Sequence, residues 1–268
     1  MNKKDLIQLK EWFSSYVAGY YTGDAEYDRP IRLKEEHTDK VCENILILCH
    51  GLDLMEQDLI LAETIALYHD IGRFEQYVRY GTFNDATSEN HARLGLREMG
   101  KHSVLSRCTT EEKRLILTAI AYHNALSLGE DLHSRKDVFM RLIRDADKLD
   151  IWRVLIDYYR ERDKRPNAAI ELGLPDDPIC SQKIIDTFYL HRSALLKDAK
   201  TVNDMILLQI SWVFDLNFPK SFEMVQKRQI VGQLNSLLPQ SPSIRSAVEQ
   251  VKFHIEKKLS WKNTEDKA

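Results

Sequence analysis

The chain has 268 residues, which is enough for one large domain with a sizeable core, and its formal net charge is -3. Because basic and acidic residues are interspersed, the sequence offers no broad basic face for a long nucleic acid and no polybasic segment for a membrane surface. The four cysteines show neither a C-x-x-C pair nor zinc-ribbon spacing, and no window approaches about 18 apolar residues. These features leave a small anionic ligand possible and predict a cytoplasmic protein.

Helix-forming residues dominate the composition, and the chain has only 10 glycines, 7 prolines and few runs of β-branched residues. We therefore predict an all-α fold. Apolar residues at spacings of 3 and 4 predict helices along the whole chain. In chain order these lie at about residues 3–22, 30–50, 57–70, 89–101, 110–124, 135–162, 180–198, 202–215, 219–237 and 242–259.

Two segments interrupt the helical pattern. Residues 80–90, YGTFNDATSEN, predict a loop that is long enough to shape a site, with Ser88 as an N-cap. Beyond Arg162, the segment DKRPNAAIELGLPDDP contains three of the seven prolines. We interpret it as a long connection inside a single all-α domain that covers residues 1–268.

Two histidines fall on faces that otherwise carry apolar residues. His37 shares a helix face with Val41 and Ile45, and His69 shares a face with Ile65. Both imidazoles are therefore predicted to point inward. Taken singly, each is more typical of a hydrogen-bonded core residue than of a ligand.

Asp147 lies on an apolar stripe of the long helix, between Ile143 and Ile151. Burying an ionised carboxylate without a partner costs several kcal/mol or more, so it should be paired or bound to a cation. An ion pair with Arg144 or Arg153 would satisfy it. A metal ion shared with the inward histidines would satisfy it equally.

The remaining candidates lie at helix ends. Asp70 follows His69 where a helix ends, and Gly72 is expected to let the backbone turn there. His91 opens one helix and His123 closes another. Together these imidazoles and carboxylates form a mixed nitrogen and oxygen set that suits Mn, Fe, Ni, Zn or Mg better than a thiolate-bound structural zinc.

His37, then His69-Asp70 in HDIGR, then Asp147 in RDADKLD resemble the HD superfamily of metal-dependent phosphohydrolases over about residues 30–160. The resemblance implies a multi-helix HD-type bundle around a buried metal centre that these four residues bind. We therefore predict an HD metal-binding core at residues 28–165. The helical pattern beyond the proline-containing segment predicts a C-terminal helical extension at 166–268 packed on that core.

Asp145 and Asp150 are alternatives for the last ligand, but Asp147 lies on the apolar stripe and in the A-D-K-L string of the family. Some members carry two further histidines that bind a second ion bridged by the HD aspartate. His91 and His123 occupy those places, so the resemblance implies two divalent ions. The chain has HDIGR rather than HDIGK and lacks a GYP string, which argues against a cyclic-dinucleotide substrate.

The chemistry implied by the resemblance is hydrolysis of a phosphate ester or phosphoanhydride bond in a small substrate, expected to be a nucleotide, by a metal-activated hydroxide. Asp70 would bridge the ions and orient the nucleophile, while Arg73 and Lys148 would contact phosphate oxygens. A surface or helix-end salt bridge is the alternative for both cations. Arg32 is a weaker candidate for the same contact.

Other enzyme classes fit less well. GLREMGKH, residues 95–102, imitates a P-loop, but His102 stands where Ser or Thr would hold magnesium and Gly95 lies in a predicted helix. A ferritin-like centre would need a Glu-x-x-His motif on each of two helices, and the sequence does not contain two such motifs. The main alternative is a non-catalytic metal- or nucleotide-binding module of the same fold, in which the centre senses a ligand or stabilises the helices.

Overall fold

The protein is described by a computed structural model that covers the chain except residues 53, 129–133, 163, 165–170, 172 and 266–268. The described residues contain helices and no strands, so the prediction of an all-α fold is confirmed. The chain divides into two compact units, Met1–Asp150 and Ile151–Ala268. The predicted boundary at residues 165 and 166 lies outside the described residues, and the packing of a C-terminal extension on the core stays a prediction.

The first unit is built from seven helices among its described residues, the last of which continues past Asp150. They are α1 (Lys3–Ala18), α2 (Ala25–Cys49), α3 (Glu56–Tyr68), α4 (Gly72–Tyr80), α5 (His91–Lys101), α6 (Thr110–Tyr122) and α7 (Arg135–Glu161).

Packing in this unit centres on α3, which lies against α1, α2 and α6, while α4 packs on α2 and α5. Of the thirteen residues of α3, eight are buried. A helix that is apolar on nearly all sides belongs in the middle of a bundle. The central position of α3 places the two residues that follow it, His69 and Asp70, inside the unit.

The second unit is also helical throughout its described part. It contains α8 (Gln182–Tyr189), a 3-10 turn (Leu196–Asp198), α9 (Val202–Ser211), a 3-10 turn (Trp212–Asp215), α10 (Pro219–Lys227), α11 (Ile230–Asn235) and α12 (Pro242–Glu265). All residues of α9 are buried, and α12 packs against α8, α9 and α10.

Several helix bounds differ from the prediction for identifiable reasons. Helix α2 begins at Ala25, because Asp24 caps it and Pro30 is accommodated inside it. The predicted helix at 219–237 is divided where Gln229 adopts a left-handed φ of 52°. The N-cap of α5 is Asn90 rather than Ser88, since the Asn90 side chain accepts from the Arg93 amide.

The short helix α4 was not predicted, and Gly72 at its start does not have the expected role. Its φ is not in the left-handed region, so a turn does not require glycine there. A Cβ on Gly72 would lie 2.2 Å from the His91 carbonyl oxygen and 2.5 Å from the Gly95 nitrogen. Gly72 therefore lets the backbones of α4 and α5 approach closely, which brings His91 next to the HD pair.

Among the described residues, no helix is both long enough and apolar enough to span a membrane.

Candidate metal centre

The HD pair lies at the C-terminal end of α3, where the helix carbonyls fix the orientation of an imidazole. His69 caps α3, and its Nδ1 lies 2.7 Å from the Ala66 carbonyl oxygen. His123 repeats this arrangement at the end of α6, with Nδ1 2.7 Å from the Ile120 carbonyl oxygen. A carbonyl oxygen only accepts, so each Nδ1 donates and the Nε2 of the neutral ring carries a lone pair.

The other two histidines are oriented by carboxylates. His37, in the middle of α2, has Nδ1 2.7 Å from Oδ2 of Asp150. His91, the first residue of α5, has Nδ1 2.7 Å from Oδ2 of Asp85. Metal-binding histidines are typically held in this way, with the outer nitrogen bound to a carboxylate or carbonyl and the other nitrogen left for the ion.

All four Nε2 atoms face one carboxylate, that of Asp70. Its Oδ2 lies 3.7 Å from Nε2 of His37 and 3.9 Å from Nε2 of His69. Its Oδ1 lies 3.3 Å from Nε2 of His91 and 3.8 Å from Nε2 of His123. Two triads that could hold a metal ion therefore share Asp70, one with His37 and His69 and the other with His91 and His123. We call these five residues, together with Asp147, the converging cluster.

Asp147, from α7, adds a fourth donor beside the first triad. Its Oδ1 lies 3.1 Å from Nε2 of His37 and 3.7 Å from Nε2 of His69. The alternative ligand Asp150 instead approaches the outer nitrogen of His37, so it orients that imidazole. Asp147 keeps a side-chain exposure of 16 %, against 5 % or less for Asp70, His37 and His69, so it lies at the solvent side of the cluster.

Unsatisfied imidazole nitrogens are a further indication that these residues could bind a metal ion. Nε2 of His37 and Nε2 of His69 are buried without a hydrogen-bond partner. Nε2 of His91 lies 2.9 Å from Nε2 of His123, yet both outer nitrogens donate, so two lone pairs face each other. A buried polar atom that lacks a partner costs about 1–3 kcal/mol, and a cation would satisfy all four.

The charges in the cluster also favour a cation. Burial raises the pKa of Asp70, but the charges of Lys34 and Arg73 outweigh it and hold that pKa well below its usual range. Burial likewise opposes ionisation of Asp147, and His37 and His69 hold its pKa well below the usual value. Burial, followed by the Arg73 charge, lowers the pKa of His91 to about 4. Both carboxylates are thus ionised and the His91 imidazole is neutral near pH 7, which are the states that bind metal.

The loop at residues 81–90 is tied to the second triad through Asp85. Besides His91, this carboxylate accepts bonds from Arg73 at 3.0 Å and Gln76 at 2.9 Å. Burial raises the pKa of Asp85, but the bond from His91 and the neighbouring charges lower it to about 2. Gln76 is fully buried and also donates to Ser88 Oγ at 2.8 Å. The sequence predicted a loop here but not the role of Asp85, whose signal is its place six residues before His91.

The cations predicted to contact phosphate have different surroundings. Arg73 lies beside Asp70, with Nε 3.4 Å from Oδ1, and its Nη1 also donates to Gln76 and to the Phe83 carbonyl. Lys148 follows Asp147 on α7 and is half-buried. Arg32 is exposed, and its guanidinium lies 5.9 Å from the centroid of the Tyr21 ring.

The structure adds a cation that sequence reasoning missed. Lys34 Nζ lies 2.8 Å from Asp70 Oδ2. Its only signal in the sequence is that it precedes His37 by three residues, which places both side chains on neighbouring positions of the same helix face.

Comparison with protein-family models gives one match over this region, to a model described as HD domain, at residues 35–152. The chain contains an HD domain, and this match supports its membership of the HD superfamily. The HD domain therefore includes all members of the converging cluster, and the predicted resemblance is confirmed. Neither the search of curated proteins nor the search of solved structures returned a match.

Proposed function

We propose that this HD-domain protein is a metal-dependent phosphohydrolase that cleaves a phosphate ester or phosphoanhydride bond in a small substrate, specifically a nucleotide. The observation that carries the proposal is the position of Asp70, whose two oxygens each face a different pair of imidazole lone pairs. One carboxylate shared by two triads is an arrangement for two neighbouring divalent ions. Candidate ions are Mn, Fe, Ni, Mg and Zn, all of which accept imidazole or carboxylate ligands.

Divalent ions bound here would lower the pKa of a water molecule and offset negative charge on phosphoryl oxygens. The protein supplies the geometry for this chemistry. Asp70 is fixed from both sides by Lys34 and Arg73, so its oxygens are positioned before any ligand arrives. Asp147 lies at the solvent side, where its carboxylate would hold an ion within reach of an incoming water.

Arg73 and Lys148 are proposed to neutralise charge that develops on the phosphoryl group. Arg73 is suited to this because its planar guanidinium remains charged at any physiological pH. Its bonds to Phe83 and Asp85 hold it beside the cluster at the base of the loop. For Lys148 the supporting observation is its position next to Asp147 on α7.

The same proposal includes a cytoplasmic location and a small phosphorylated substrate, without a long nucleic acid or a membrane as partner. Interspersed charges and the formal net charge of -3 support the exclusion of a polyanion such as DNA. The buried position of the converging cluster supports a small substrate, because only a compact phosphoryl group can approach side chains that are nearly inaccessible.

The test is a screen of phosphorylated metabolites in the presence of Mn, Mg, Fe, Ni or Zn, combined with measurement of bound metal. We expect hydrolysis of at least one nucleotide, loss of hydrolysis in Asp70→Ala, and loss in His91→Ala as well if two ions are needed. His50→Ala, at an exposed histidine on the C-terminal side of α2, is the matched control and should retain activity.

Two results would argue for the non-catalytic module instead. The first is a protein that holds two metals but cleaves nothing in a broad nucleotide panel. The second is that the wild type shows no activity and that Asp70→Ala only unfolds the protein. If Asp70→Ala loses hydrolysis but His91→Ala does not, the protein is still a phosphohydrolase, and its activity needs only one metal ion.

A further inference from the structure

Lys34 contacts the converging cluster through Asp70, but it lies outside the part of the chain that matches the HD domain, which begins at residue 35. Its ammonium group is 2.8 Å from Oδ2 of Asp70, the oxygen that also faces His37 and His69. The side chain is 17 % exposed, so the ammonium lies between the buried carboxylate and the solvent.

A second contact holds this ammonium in place. Nζ of Lys34 lies 5.5 Å from the centroid of the Phe83 ring, within the range of a cation–π interaction. Phe83 is in the loop at residues 81–90, and its carbonyl oxygen accepts a bond from Arg73. One loop residue therefore positions two cations on opposite oxygens of the same carboxylate.

Metal binding would change the charge around Lys34. Two divalent ions would carry more positive charge than Asp70 and Asp147 carry negative charge. Lys34, a few Å away, would then face a site with excess positive charge, and like charges at such distances repel by several kcal/mol in a partly buried setting. An anionic ligand beside Asp70 would relieve this repulsion and offer the ammonium a new acceptor.

We propose that Lys34 is a phosphoryl-binding residue, which pairs with Asp70 in the metal-free cluster and with the substrate phosphoryl group in the metal-bound cluster. In this role Lys34 favours the binding of phosphomonoester dianions over phosphodiester monoanions. The proposal rests on the proposed function, because it assumes that a phosphate ester occupies the metal centre. A monoester bears two negative charges above its second pKa of about 6, whereas a diester bears one. The excess positive charge created by Lys34 therefore binds the monoester group more strongly.

The role predicts opposite effects on two ligands, which a purely structural lysine would not produce. In Lys34→Met the competing ammonium is absent, so Mn²⁺ should bind more tightly to the protein. Inorganic phosphate, titrated into the Mn²⁺-loaded protein at pH 8, should bind more weakly by about 10-fold or more, the loss expected for one charge-assisted bond. Both affinities can be measured by isothermal titration calorimetry without turnover.

Two comparisons complete the experiment. Lys34→Arg should retain phosphate binding within a few-fold, because the charge is kept. Lys40→Met is the matched control, since Lys40 is on the same helix and pairs with the exposed Glu43, and it should change neither affinity. Dimethyl phosphate, a diester monoanion, should bind the wild-type protein at least about 10-fold more weakly than inorganic phosphate and should lose little further affinity in Lys34→Met.

The proposal is overturned if Lys34→Met binds phosphate as the wild type does, or if it weakens Mn²⁺ and phosphate together with a lower unfolding midpoint. Should Lys34→Met not fold, Lys34→Gln and Lys34→Arg provide the same comparison of neutral and charged side chains. If phosphate binding depends on Lys34 but no ester is hydrolysed in the screen, the proposed enzyme fails while the binding site remains. If esters are hydrolysed and Lys34→Met binds phosphate normally, only the role of Lys34 fails.

Discussion

The two units of the chain each contain a group of histidines, and the two groups differ in what surrounds the imidazoles. In the converging cluster of the first unit, every outer nitrogen has a carbonyl or carboxylate partner and every Nε2 faces Asp70. In the second unit, His191 and His254 lie against Phe214 and Phe222, which we call the aromatic cluster. Nε2 of His254 is also buried without a hydrogen-bond partner.

An unpartnered imidazole nitrogen is therefore not sufficient evidence for a metal site. In the aromatic cluster, burial is the main influence and lowers the pKa of His254 to about 4, assisted by Lys258, His191 and Lys257. The ring behaves as a neutral core residue. In the converging cluster, ionised carboxylates attract positive charge, so the same kind of nitrogen becomes a candidate ligand.

The largest effect that would test this difference is expected from Gly72→Ala in the first unit. The added methyl group would lie against the backbone of His91 and Gly95, which cannot rotate away, so we expect a loss of about 3 kcal/mol in the free energy of unfolding. Separation of α4 from α5 should also displace His91 and reduce metal content. Urea denaturation and metal analysis measure both effects.

Gly100→Ala is the control for this change, because a Cβ there meets nothing within 4 Å. It should stabilise α5 by up to about 1 kcal/mol through helix propensity. Equal stability of wild type and Gly72→Ala would show that the close approach of the two helices is not needed to hold His91.

The next effect in size is expected from Asp85→Asn. The amide cannot replace the ionised acceptor that orients His91. The affinity for the ion held by the triad of Asp70, His91 and His123 should therefore fall by about 10- to 100-fold, as it does when other partners of metal-bound histidines are changed. Competition with a chelator, followed by metal analysis, would reveal sequential loss of the two ions.

The exposed Asp186 on α8 gives a matched control, since Asp186→Asn makes the same chemical change in the second unit. It should leave both metal affinities unchanged. If Asp85→Asn weakened both ions equally, the division of the converging cluster into two triads would be incorrect.

The smallest effect concerns His254 and the pH dependence of stability. The pKa of His254 in the folded protein, about 4, lies below the usual histidine pKa of about 6.5, so between these pH values the unfolded chain binds a proton at His254 and the folded chain does not. Stability from this group is complete above pH 6.5 and is lost as the pH falls towards 4. After allowance for partial exposure, the loss between pH 7 and pH 5 should be about 1 kcal/mol.

His254→Phe should remove this contribution, so its free energy of unfolding should fall less between pH 7 and pH 5 than that of the wild type. Its metal content should equal that of the wild type. If the pH dependence of stability is unchanged in His254→Phe, the aromatic cluster does not prevent protonation of His254. If the variant contains less metal than the wild type, the two histidine groups do not differ as described.

Much of the fold and the composition of the candidate site could be predicted from the sequence. Helical periodicity identifies the inward face of α2 and α7, so it predicted that His37 and Asp147 point towards the interior. The order of His37, His69-Asp70 and Asp147 was enough to identify the HD superfamily, which the family match confirms. These inferences succeed because residue type and spacing along one helix determine which face a side chain occupies.

The tertiary structure decided which atoms of those residues meet. Periodicity does not tell whether Asp150 would face Nε2 or Nδ1 of His37, since that depends on how α7 lies against α2. For the same reason the sequence did not reveal that Lys34 approaches Asp70, or that Asp85 orients His91 across the loop.

The glycine at the start of α4 shows the same division. The sequence by itself determined that a residue without a side chain lies two positions after the HD pair, and local reasoning assigned that residue to a turn. Only the packed structure shows that Gly72 is there because another backbone, that of α5, lies in the space a Cβ would fill. Backbone conformation is a local property, whereas contact between helices is set by the whole bundle, so the first can be predicted from neighbouring residues and the second cannot.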